Sequence, residues 1–192
     1  IACGMPGLDG AVEDVRVDEA GEFTLGVIGG GAPQGLCGSG LVDLMSELLR
    51  TGRMNDMGRF EDGVSRFTLD EAHDVFFLES DVNELAQAKG ANVAGLHVVF
   101  SQYGVPFEDV GAFYLAGGFG RHLKKEASRR IGLIPNLPDD TIVQVGNAAI
   151  EGAFNSLDSN VALEENGVPA DVPGSDAEVE EQRLEGSIGT TW

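Results

Sequence analysis

The chain has 192 residues, 42% of them hydrophobic, enough for one good-sized domain with a real core. Its formal net charge is -20, from 12 basic and 32 acidic residues, which argues against nucleic acid and against anionic membranes as partners. No run approaches the ~18 apolar residues of a transmembrane helix, and the start, "IACGMPG", carries no secretory signal pattern.

That start also lacks an initiator methionine, so the sequence reads as an internal piece of a longer protein. Cys3 and Cys37 are too few for a disulfide framework or a structural metal site, and their scarcity fits a reducing cytoplasm. The negative charge reads as a solubility device, or else as a surface for a positively charged or metal-bearing partner.

In chain order, "AVEDVRVD", the turn "EAG" and "EFTLGVIG" predict a β-hairpin over 11–30. "GGGAPQGLCGSG" (29–40) is a glycine-rich loop leading into an amphipathic helix. That helix has Leu41, Leu44, Met45, Leu48 and Leu49 on one face, Ser39 as N-cap and Gly52 as stop. Residues 53–70 read as irregular. "ESDVNELAQAKGANVAGLHVVFSQYG" predicts a long helix with Asp81 and Glu84 as a capping box. Its apolar stripe is Val82, Leu85, Ala86, Val93, Leu96 and Phe100, and Lys89 falls on it. Such a lysine either snorkels its charge to the edge or contacts a ligand in a bordering cleft.

"VGAFYLAGGFG" then predicts a strand running into Gly117, Gly118 and Gly120, with a helix near 121–130. "TIVQVGNAAIEGAF" repeats strand, Gly146 turn and helix. Two such units in series predict buried parallel strands in an α/β layer, with both glycine turns on one sheet edge. Beyond about Ser156 the sequence turns acidic and loses periodicity. It reads as a tail over 158–192 behind a domain over 1–157.

The glycines of "AGGFG" serve either close helix–sheet packing or the approach of an anion or nucleotide to the backbone. The spacing is neither G-x-G-x-x-G nor a Walker loop, and Cys37-Gly38-Ser39-Gly40 is not a nucleophile elbow. His73, His97 and His122 are scattered, without metal-ligand spacing.

"IACGM", "GGGAPQGLCGSGLVDL", "DVNELAQAKGANVAGL", "FYLAGGFGRHL" and "VGNAAIEGA" follow one another in an order that resembles the C-terminal domain of the reductive activators of corrinoid-dependent proteins. These belong to the acetate and sugar kinase, heat-shock protein and actin superfamily. The resemblance implies an α/β fold: part of an actin-like, sugar-kinase-like ATPase domain, a mixed sheet flanked by helices. It implies an adenosine motif at Gly117, Gly118, Phe119 and Gly120. Lys89 and Gln87 on the long helix are further nucleotide contacts, and Ser39 lies near the cleft. ATP and Mg²⁺ are the implied cofactors, with a [2Fe–2S] cluster in an N-terminal domain outside this sequence. The implied partner is a corrinoid protein whose cob(I)amide state is restored, with a homodimer as a further possibility. The intact protein would hydrolyse ATP, and this portion alone would not. The alternative is a docking or dimerisation module that uses no nucleotide itself.

Overall fold

The computed structural model describes residues 1–146. The helix expected from Asn147 and the acidic tail over 158–192 lie outside the described residues.

Strand β1 (Ala11–Val17) is central to the first sheet, and its partners are β2 (Phe23–Val27) and β3 (Gly35–Leu36). The β1–β2 pair is the expected antiparallel hairpin, with an irregularity between Val12 and Asp14. The two-residue β3 pairs parallel to β1, placing Ala11 opposite Gly35 and Val12 opposite Leu36. The sheet is therefore mixed.

Helix α1 (Gly38–Arg50) packs directly on β1. Leu44, Leu48 and Val42 are fully buried, with Leu41 and Met45 nearly so. Each such side chain contributes about 1.5–3 kcal/mol of burial. The helix ends as the sequence predicts: Thr51 is the C-cap and Gly52 takes φ +69° behind it. Its start differs from expectation. Cys37 is the N-cap, and Ser39 sits inside the first turn with its hydroxyl 3.1 Å from Cys37 Sγ. The short parallel pairing of β3 fixes Cys37 beside Val12, so the helix begins two residues earlier than the serine suggests.

The stretch read as irregular contains strand β4 (Arg66–Asp70), which pairs antiparallel with β5 (Val75–Leu78). A local aromatic cluster packs on this hairpin. Phe67 lies opposite Phe77, and Phe60 stacks at 4.7 Å from Phe67 and 5.9 Å from Phe77.

The long helix is α2 (Glu79–Tyr103), closed by Gly104 in the left-handed conformation. Asp81 is its third residue and reaches back, accepting a hydrogen bond from the Leu78 N–H at 3.1 Å. The expected capping box is thus shifted by one turn: Asp81 supplies the returning carboxylate rather than the cap. Only Val82 of the predicted stripe is buried, while Leu85, Leu96 and Phe100 are half-buried and Ala86 and Val93 exposed.

Strands β6 (Phe113–Leu115) and β7 (Ile142–Gln144) pair in parallel, joined through α3 (Gly117–His122) and α4 (Lys125–Arg130). The two glycine turns that follow these strands meet on one edge, where the Gly117 N–H donates to the Gly146 carbonyl at 2.9 Å. Among the described residues no helix is long and apolar enough to cross a membrane.

Candidate functional site

The turn after β6 assigns its three glycines different tasks. Gly117 has φ +90°, a conformation that only glycine adopts without strain. A methyl group at Gly120 would lie 3.1 Å from the Leu115 carbonyl carbon, so this glycine lets α3 pack against its own strand. Gly118 has neither constraint: its φ is ordinary and nothing lies within 4 Å of where a side chain would stand. Its bareness leaves a patch of open backbone. The packing and ligand readings of "AGGFG" therefore apply to different residues of the same turn.

Phe119 follows, half-exposed, with its ring over the start of α1. A methyl group at Gly38 would lie 2.6 Å from Phe119 Cε2. Two glycine-rich segments, 35–40 and 117–120, thus touch through one aromatic ring. Ser39 is next to this contact but buried, and its hydroxyl faces Cys37, whose thiol donates to the Val12 carbonyl at 3.3 Å.

Lys89 and Gln87 belong elsewhere. α2 and the segments 107–110 and 132–141 border an open cleft of about 1190 Å³, lined by Lys89, Val93, His97, Phe107, Ile134 and Leu137 among others. Val110 and Thr141, just before β6 and β7, also line it, so this cleft opens on the starting edge of the two strands. The glycine turn lies on their finishing edge. Lys89 is half-buried on the cleft wall, its Nζ 3.1 Å from where a side chain on Gly132 would begin. Gln87 is exposed and lines no part of the cleft.

Below α3, Lys124 bridges Asp14 on β1 at 2.6 Å and Asp43 on α1 at 2.5 Å. Burial opposes the lysine's charge, but the hydrogen bonds and charges of the two carboxylates outweigh it and raise its pKa. Burial pushes the Asp43 carboxyl above the usual carboxylate range. One ammonium shared by two acids leaves the more buried acid harder to ionise. The network ties the α3–α4 segment to the β1–α1 layer.

Gln144 is a site feature that sequence reading passed over. It ends β7, and its side-chain amide donates to the carbonyls of Gly120 at 2.9 Å, Arg121 at 3.2 Å and Leu123 at 2.7 Å. A polar residue at the end of a short strand reads as solvent-facing. The only hint was its place two residues before Gly146.

Comparison with known proteins identifies the family and the fold. The family described as the C-terminal ASKHA domain of RACo matches residues 1–168. The corrinoid activation enzyme RamQ of Eubacterium limosum is 31% identical over an alignment of 197 positions, covering 90% of this chain and 32% of that protein. The [Co(II) methylated amine-specific corrinoid protein] reductase of Methanosarcina barkeri is 27% identical over 116 residues, 60% of this chain and 21% of the relative. A solved reductive activator for a corrinoid, iron–sulfur protein superposes with a TM-score of 0.72 at 31% identity, over 84% of this chain and 28% of the other. The chain thus spans about a third or less of the length of these relatives. With the family match running over most of its length, the chain belongs to the family of the C-terminal ASKHA domain of RACo.

Proposed function

We propose that this domain is the nucleotide-binding part of an ATP-dependent reductive activator that restores the cob(I)amide state of a corrinoid protein. The observation that carries the reading is Gly118, a glycine with no packing or conformational reason to be one, set between Gly117 and Phe119 on open backbone. A purine and its ribose need a flat, unobstructed face, and the turn offers one. In this reading Gly117, Gly118, Phe119 and Gly120 hold the adenosine, and Ser39 supports Phe119 through the start of α1. Lys89 and Gln87 would join only if α2 swings from the starting strand edge toward the finishing one.

Bound with Mg²⁺, ATP supplies the free energy of phosphoanhydride hydrolysis. The domain's own task is to bind it differently in two arrangements, so that a partner's equilibrium is biased. The [2Fe–2S] cluster and the electron path belong to other parts of the intact protein, and the two free thiols fit a cytoplasmic setting.

Isothermal titration of Mg²⁺-ATP into the intact protein gives saturable binding, and Gly118→Trp weakens it at least about tenfold, or ~1.4 kcal/mol, with folding retained. Absence of ATP binding by the intact protein would defeat the reading.

One observation favours a second reading, a docking or dimerisation module. Residues 90–107 carry no Asp, Glu, Lys or Arg, and within them Val98 and Val99 are 53% and 50% exposed. An uncharged helix face on so acidic a chain suits a protein surface.

A further inference from the structure

α3 has six residues, so most of its carbonyls lack an intrahelical partner. Those of Gly120 and Arg121, with that of Leu123 just behind the helix, converge instead on Gln144 Nε2. A primary amide has two N–H groups, so three acceptors share two protons. At its other end α3 is tied to the same strand exit, where the Gly117 N–H meets the Gly146 carbonyl. The third restraint is Phe119 seated on Gly38. Two of these three restraints come from outside the turn's own sequence, from Gln144 and Gly146.

From this geometry we propose that Gln144 is a positioning residue for the nucleotide face. It clamps α3 so that the backbone of Gly117–Phe119 stands flat before any ligand arrives. The inference rests on the nucleotide reading above. Without the clamp three carbonyls lose their partner, α3 frays, and binding must reorder the turn each time. That ordering weakens affinity although Gln144 itself touches no ligand.

The test uses the intact protein with Gln144→Met, which keeps the shape and removes both donors, and Gln144→Lys, whose ammonium offers three. Two readouts are taken: the Mg²⁺-ATP dissociation constant, and hydrogen exchange of the 117–123 amides without nucleotide. We expect Gln144→Met to speed exchange across the turn and weaken ATP binding about tenfold, with the thermal midpoint little changed. Gln144→Lys restores both toward wild type. Unchanged exchange and affinity in Gln144→Met, or a lysine variant no better than the methionine one, overturns the proposal. If the wild type binds no ATP, the nucleotide reading and the positioning role fall together, while the exchange contrast still decides whether Gln144 orders the turn.

Discussion

A methyl group at Gly40 would lie 2.1 Å from the Val12 carbonyl oxygen, on the rigid backbone of the central strand. No rotamer change relieves that overlap, so the first turn of α1 would have to lift off β1. Gly40→Ala is expected to destabilise the domain on the order of 3 kcal/mol, read by denaturant unfolding. A wild-type midpoint in that variant would mean that α1 sits less closely on β1 than described. Gly118 has open space around it and no such cost, which separates glycines that packing requires from one that it does not. The sequence pattern marked the cluster 117–120 but could not divide it. Only the neighbours of each Cα distinguish conformation, packing and exposure. Lys89 shows the same limit. Its place on the stripe singled it out, and it does border a cleft, but the strand edge on which that cleft opens depends on tertiary placement.

Among elements, α1 and β1 are held together at their far end by Glu47 and Arg50. Glu47 accepts two hydrogen bonds from Arg50, at 2.8 and 2.7 Å, and one from the Val17 N–H at 2.9 Å. The Arg50 hydrogen bond is the main cause that holds the Glu47 carboxyl below its usual range. A depressed folded-state pKa stabilises above the unfolded value and loses that contribution as pH falls through the folded one. Glu47→Gln should therefore cost about 1 kcal/mol at neutral pH, where the partly solvated pair is screened. The gap to wild type should close as pH drops below the carboxylate range. A gap that stays constant with pH would show that the charge of Glu47 contributes nothing. The hairpin β1–β2 and helices α1 and α2 were legible because periodicity and stop glycines are local signals. β4–β5 was not, because Phe67 and Phe77, with Phe60 beside them, come together only once the hairpin has closed. β3 has two residues, too few for any alternation to register. Gln144 was invisible for a related reason: its partners lie 21 to 24 residues back along the chain.

For the whole molecule, charge is distributed unevenly. The chain carries a net charge of -20, yet the second half of α2, residues 91–103, holds no Asp, Glu, Lys or Arg. The sequence marked an apolar stripe along α2, yet beyond its first turn the helix is largely exposed. If that face seats a second copy, the intact protein sediments as a dimer and Val98→Glu shifts it toward monomer. Val98 is half-exposed, so the domain's own fold should survive the change. A sedimentation mass that ignores the substitution excludes this face as the contact.

The hydrogen bonds that tie the turn at 117–123 to Gln144 and Gly146 also set an order of events during synthesis. A nascent chain that has emerged only as far as Arg130 already contains every glycine of the turn and its Phe119–Gly38 contact, but neither Gln144 nor Gly146. The face completed by residues 144–146 comes into being only after the ribosome has delivered the whole crossover. A growing polypeptide would therefore contain β1 and α1 well before the turn at 117–123 could take its final shape.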